Sequence, residues 1–212
     1  MFNIKKIESF CNEFIGFVRI TDECGAQGWG QVSTYNSDIT CNILHRQVAP
    51  WVLGVETQDL GNLLDIVTER EHKFPGSYLM RAIAGFDTAI WDMMGKQQDK
   101  SVTEILGGKP GQLRAYGSSM KRDITPKNEA DRLKRLRDCF GFDAFKIRAG
   151  SEVGRNQDEW PGRTEEIIPT MRKELSDEVD LLIDANSCYS PERAIVVGKL
   201  LEDNGFCHFE EP

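Results

Sequence analysis

The strongest constraint on this 212-residue chain is the rhythm of its second half. From Arg114 onward, strand-like and helix-like segments alternate. Strands are expected near 114–119, 143–148, 180–185 and 207–211, and helices near 127–140, 162–176 and 190–204. Ser190-Pro191-Glu192 opens the last helix, with serine as N-cap and proline at the first helical position, where a missing N–H costs nothing. Repeated strand–helix units predict a parallel sheet, either a doubly wound open sheet or a (β/α)8 barrel. No GxGxxG turn follows any of these strands, which counts against the dinucleotide-binding version.

Three of the strands end in charge: Phe145-Lys146-Ile147-Arg148, Leu181-Leu182-Ile183-Asp184-Ala185-Asn186 and Phe209-Glu210-Glu211-Pro212. Charge at the end of a buried strand is costly unless something uses it. Side chains two apart share a strand face, so Lys146 points with Arg148, and Asp184 with Asn186. Neighbours point apart, so at most one of Glu210 and Glu211 faces the same pocket. In a barrel such strand ends converge on one mouth. Two cations, two carboxylates and an amide suit an anionic substrate together with a hard cation such as Mg2+. That combination acidifies the proton α to a carboxylate. Taken singly, each residue also reads as a cross-sheet ion pair or a turn former. The long loop Gly150 to Gly162, rich in charge and glycine, borders the same end.

The first half reads as α+β. Ile4 to Phe10, Phe14 to Thr21 and Gly28 to Val32 are strand-like, with a turn at Asp22-Glu23-Cys24-Gly25. Helical patterns follow near 38–49, 57–72 and 77–95, the last with Leu79, Ile83, Phe86, Ile90, Trp91 and Met94 at steps of three and four. Gly107-Gly108-Lys109-Pro110-Gly111 ends a short helix and marks a boundary, giving domains at 1–110 and 114–212. The formal charge of −8 argues against nucleic acid or an anionic membrane as partner. No apolar run is long enough to span a bilayer, and Met1-Phe2-Asn3-Ile4-Lys5-Lys6 lacks the core of a signal peptide. The six cysteines have no CxxC spacing and read as reduced, mostly buried thiols of a cytoplasmic protein.

Taken together, these residues resemble the enolase superfamily, on the side of mandelate racemase and muconate-lactonizing enzyme. Gly85-Phe86-Asp87-Thr88-Ala89-Ile90-Trp91-Asp92-Met93-Met94-Gly95-Lys96, followed by Ile105-Leu106-Gly107-Gly108, is similar to the family signature that closes its first domain. Gly28-Trp29-Gly30 resembles an early strand motif. The resemblance implies an α+β capping domain followed by the first half of a (β/α)7β, TIM-type barrel. It implies one essential Mg2+, with Asp184 and Glu210 as metal ligands, and abstraction of a proton α to a carboxylate. Lys146 and Arg148 match the family's catalytic Lys-x-Lys. Ser118 and Asn186 match substrate-contacting positions. The reaction implied is dehydration of a hydroxy or sugar acid, with racemisation or cycloisomerisation as alternatives, on a small carboxylate substrate, in a homo-oligomer.

Three departures bear on that reading. Arg148 stands where the group carries a lysine base, and a guanidinium stays protonated at any ordinary pH. If desolvated beside a second cation, Lys146 would have a lowered pKa, while the resemblance implies an electrostatic role for it. The segment Ser9 to Phe14 is short for a lid loop. Only four barrel strands are expected before Pro212, against eight in a closed barrel. The chain is therefore expected to be the N-terminal part of a longer protein or a catalytically silent truncated product.

Overall fold

A computed structural model describes residues 2–57, 60–152 and 154–212. The chain forms two compact units, Met1–Gly111 and Gln112–Pro212.

The first unit is an antiparallel sheet covered by a long helix. Strands β1 (Phe2–Cys11), β2 (Gly16–Asp22), β3 (Gln27–Val32) and the short β4 (Glu56–Thr57) lie in the order β3-β2-β1-β4. The β1–β2 connection is tight, as its length predicts. The Asn12 side-chain oxygen accepts from the Phe14 and Ile15 amides at 2.8 and 2.9 Å, closing the turn without a lid. The expected helix at 38–49 is three pieces: α1 (Ser37–Ile43), a π-helical turn over Leu44–Val48 and α2 (Ala49–Val52). Pro50 lacks an N–H, so the helical ladder cannot run through it unbroken. Helix α3 covers Leu60–Arg70; Gln58 and Asp59, at the start of the expected 57–72 helix, lie outside the described residues.

Helix α4 (Ser77–Gln98) covers the sheet, and its glycine-rich signature has a packing reason. A Cβ built at Gly28 would stand 1.9 Å from the Ala89 carbonyl oxygen, and one at Gly30 2.0 Å from that of Gly85. Strand and helix backbones therefore touch, with Val18, Ile20, Val32, Phe86, Ile90 and Met93 sealed around them. The Trp29 amide, at this close approach, donates to the Asp92 carboxylate at 2.7 Å, and Lys96 reaches the same oxygen at 2.5 Å. The short helix α5 (Val102–Ile105) then starts on a capping box made by Ser101 and Glu104.

The second unit is a parallel sheet, β5 (Gly117–Ser118), β6 (Ala144–Arg148), β7 (Asp180–Asp184) and β8 (His208–Glu210), in the order β5-β6-β7-β8. Each new strand adds to the same edge. The order contains no reversal of the kind that defines a doubly wound sheet, and it fits the first part of a (β/α) barrel. Helices α6 (Pro126–Phe140), α7 (Arg163–Leu175) and α8 (Pro191–Asp203) connect the strands. Thr125 and Ser190 cap α6 and α8, each with proline next, as the Ser190-Pro191 pattern predicts. Phe145, Ile147, Leu181 and Ile183 point to the helices and pack with Leu133, Ile167, Met171, Val197 and Leu201. Two expectations change. The first strand shrinks from 114–119 to Gly117–Ser118, and Arg114 instead spans to Asp143 and Asp180 with its side chain. Of the cysteines only Cys41 and Cys188 are buried; Cys11, Cys24, Cys139 and Cys207 sit at strand ends, a turn and a helix end, and are exposed. Among the described residues no helix is long and apolar enough to cross a membrane.

Because backbone atoms cannot yield as a side chain can, Gly30→Ala is expected to destabilise the protein by about 3 kcal/mol or more. Gly198→Ala, on α8 with nothing within 4 Å, is expected to be neutral or to stabilise by up to about 1 kcal/mol. Denaturation midpoints of the two variants against the parent check both.

Candidate active site

The parallel register puts the charged strand ends on one level. Arg148 pairs with Asp184 across β6–β7, and Asp184 pairs with Glu210 across β7–β8. One step toward the strand starts, Ser118, Lys146 and Leu182 form the row beneath. In-register parallel neighbours stand about 5 Å apart on the same face. Phe145, Ile147, Leu181 and Ile183 face the helices, so this charged set occupies the opposite face of the sheet.

The side chains form one connected network. Arg148 Nη1 donates to Asp184 Oδ2, in a contact buried at both ends, and to the Asn186 side-chain oxygen at 2.8 Å. Arg148 Nε donates to the Ser119 carbonyl at 3.2 Å, and Nη2 meets the Met120 sulfur at 2.9 Å. Lys146 Nζ donates to Glu210 Oε2 at 2.6 Å and lies 3.7 Å from Asp184 Oδ2. The Asn186 amide donates back to Asp184 Oδ1 at 2.8 Å; Asn186 itself has left the strand, with a left-handed φ of 47°. Behind the sheet, the fully buried Arg163 at the start of α7 donates to the Arg148 carbonyl at 2.9 Å and stacks on Trp160. It pins the end of β6 from the helix side, while its burial pushes its own pKa down.

The structure thus gathers Lys146, Arg148, Asp184, Asn186 and Glu210. Ser118 lies in register with Lys146 but is exposed, and it makes no side-chain hydrogen bond among the described residues. Glu211 falls outside the row and touches Asn186 Nδ2 at 3.3 Å. The expectation of a lowered Lys146 pKa is overturned. Burial does push it down, but the hydrogen bond and charge of Glu210, with Tyr116 and Asp184, push it up further, and the net shift is upward. Lys146 is therefore an ammonium at neutral pH, as Arg148 is a guanidinium. Sequence reasoning missed Arg122, on the loop after β5, which is buried and donates to the same Asn186 oxygen at 2.5 Å. Nothing in the periodicity marks a loop residue of this kind.

Two family models match this chain: the mandelate racemase / muconate lactonizing enzyme N-terminal domain over residues 7–107, and the enolase C-terminal domain-like model over residues 128–212. The chain belongs to the mandelate racemase / muconate lactonizing enzyme family of the enolase superfamily. A crystal structure from Roseobacter denitrificans, provisionally named a racemase, is 74% identical and superposes with a TM-score of 0.96 over 99% of this chain and 57% of that one. A mandelate racemase/muconate lactonizing protein from Paracoccus denitrificans, complexed with magnesium, is 29% identical with a TM-score of 0.89, over 100% of this chain and 59% of that one. Arabinonate dehydratase of Saccharolobus solfataricus is 29% identical over 200 residues, covering 89% of this chain. The chain spans about half, 49%, of that curated relative.

The donor set suits Mg2+ in kind: Asp184 and Glu210 are hard oxygen ligands at one level on adjacent strands. It is incomplete in number, since among the described residues no three His, Cys, Asp or Glu side chains are grouped to hold a metal ion. Removing one partner of a buried ion pair leaves the other uncompensated. Asp184→Ala is therefore expected to destabilise the protein by about 3–5 kcal/mol, and adding Arg148→Met to recover most of that. A double-mutant cycle in urea measures it.

Proposed function

We propose that the protein acts as a Mg2+-dependent enzyme that removes a proton α to a carboxylate, with dehydration of a hydroxy or sugar acid as its reaction. The Met1–Gly111 unit is then the capping domain and the Gln112–Pro212 unit part of the (β/α)7β barrel of this family. The observation that carries the reading is the single row Arg148–Asp184–Glu210 with Lys146 beneath it. Asp184 and Glu210 would hold the metal, which supplies Lewis-acid polarisation of the substrate carboxylate.

This chain's own residues do the rest of what β5 to β8 contribute. Lys146 and Arg148 hydrogen-bond the Glu210 and Asp184 carboxylates, and as cations they stabilise negative charge as it develops on the substrate oxygens. Asn186 and Ser118 offer neutral hydrogen bonds at the same strand ends. Arg148, a guanidinium, cannot accept the α-proton. The base in this reading comes from outside β5–β8. That favours one-sided chemistry, as in dehydration, over two-base racemisation, which needs an acceptor on each face. The likeness to an arabinonate dehydratase supports the same choice.

Incubating the protein expressed from its complete reading frame with a panel of aldonic and aldaric acids, before and after exhaustive EDTA treatment, tests the proposal. The expected result is loss of water from at least one acid, abolished by EDTA and restored by Mg2+. Turnover that survives metal removal contradicts it.

A further inference from the structure

Cys11 and Cys41 are distant in sequence and adjacent in the first unit. Cys11 ends β1 and is exposed, whereas Cys41 lies in α1 and is buried. The Cys41 thiol is hydrogen-bonded to Cys11 and to Ser9. Cys188 and Cys207 donate instead to the Gln157 and Leu181 carbonyls, at 3.2 and 3.4 Å. Ile7, Ser9 and Cys11 share one strand face. The burial of Ile7 beside Cys41 and Leu44 shows that this face looks into the core. Gly16 makes room for the two thiols. It pairs with Cys11 across β1–β2, and a Cβ built on it would stand 3.1 Å from Cys41 Sγ and 3.2 Å from Cys11 Cβ. Both cysteines therefore border one methyl-sized space that glycine leaves open.

The backbone already holds the two segments together. The Tyr35 and Ser37 amides, where α1 begins, donate to the Phe14 and Glu13 carbonyls of the β1–β2 turn at 3.2 and 3.1 Å. A bond between the sulfurs needs the two chains close at the start, and here they are. The thiols differ in access. Cys11 is open to a dissolved oxidant. Burial, followed by the hydrogen bond to Cys11, pushes the Cys41 pKa up to about 12, so Cys41 is a thiol at neutral pH and does not react first. Its proton has a hydrogen-bonded way out, because Ser9 Oγ also lies 2.9 Å from Nε2 of the exposed His45.

We propose that Cys11 and Cys41 are a redox modification site, forming a reversible disulfide with a low-molecular-weight disulfide such as oxidised glutathione as the oxidant. The Cys11 thiolate attacks one glutathione sulfur, which makes a mixed disulfide and releases one glutathione thiolate. The Cys41 sulfur then attacks the Cys11 sulfur and gives up its proton through Ser9. The Cys11–Cys41 bond forms, and the second glutathione leaves. Two protein thiols are oxidised, and one glutathione disulfide is reduced to two thiols. The bond fastens the end of β1 to α1. The rival reading makes Cys41 a packing residue and Cys11 a plain surface thiol, equivalent to the exposed Cys24.

Redox titration of the native protein, expressed from its complete reading frame, separates the two. The protein is equilibrated in glutathione buffers of rising oxidised fraction, quenched in acid, alkylated and mapped by mass spectrometry. A Cys11–Cys41 linked peptide is expected at an oxidised fraction about tenfold below the one that glutathionylates Cys24, because the second thiol is held beside the first. Dithiothreitol is expected to reverse it. In Cys41→Ala, Cys11 is expected to stop at the glutathione adduct, and in Cys11→Ser, Cys41 is expected to stay free. The parent result stands without either variant. Three results overturn the proposal: a Cys11 glutathione adduct with Cys41 free in the parent, no linked peptide in any buffer that glutathionylates Cys24, or a linked peptide that needs as oxidising a buffer as the Cys24 adduct.

Discussion

The contact between Arg148 and Asp184 is the constraint to which the parallel sheet answers. Both groups are buried at the ends of adjacent strands, and each would be expensive there alone. The neighbouring interactions complete that pair. Asn186 leaves the strand in a left-handed turn so that its amide meets one Asp184 oxygen and its side-chain carbonyl meets Arg148. The Ser119 carbonyl and the Met120 sulfur take up two further donors of the guanidinium. Arg163 fixes the Arg148 backbone from behind. The ions cost the sheet stability that hydrophobic residues would have supplied, and that cost is what a chemical role would justify.

The first unit is governed by shape instead of charge. Glycine at positions 28, 30 and 85 lets β3 and α4 approach until backbone meets backbone, and Asp92 then reaches the Trp29 amide across the gap. The family signature around Gly85 to Lys96 is thus a packing code. Its match says what folds, and the strand ends of the second unit say what chemistry is on offer.

The features legible in the sequence were those set by local pattern. Period-two alternation, the Ser190 cap and the charged strand ends all follow from neighbours along the chain, and the observed register sets Lys146, Arg148, Asp184 and Glu210 on one face of the sheet. Features set by distant partners were not legible. The segment 114–116 looks like strand, yet Arg114 is drawn to Asp143 and Asp180 and the backbone pairs only at Gly117 and Ser118. Lys146 beside Arg148 suggests mutual repulsion and a lowered pKa, but Glu210, 64 residues away in sequence, reverses the sign. Arg122 has no periodic signal at all, because a loop residue gains its meaning only from what it meets.

The network holds both carboxylates with cations, so a metal at this site must compete for oxygens already in use. That makes Mg2+ affinity, rather than fold or turnover, the most direct test of the central claim that Asp184 and Glu210 are a metal's ligands. Calorimetric titration of Mg2+ into the protein expressed from its complete reading frame, compared with Asp184→Asn, is the decisive measurement. One ion per chain, lost in the variant while the variant remains folded, is the predicted result. Mg2+ binding of unchanged stoichiometry and affinity in Asp184→Asn would contradict it.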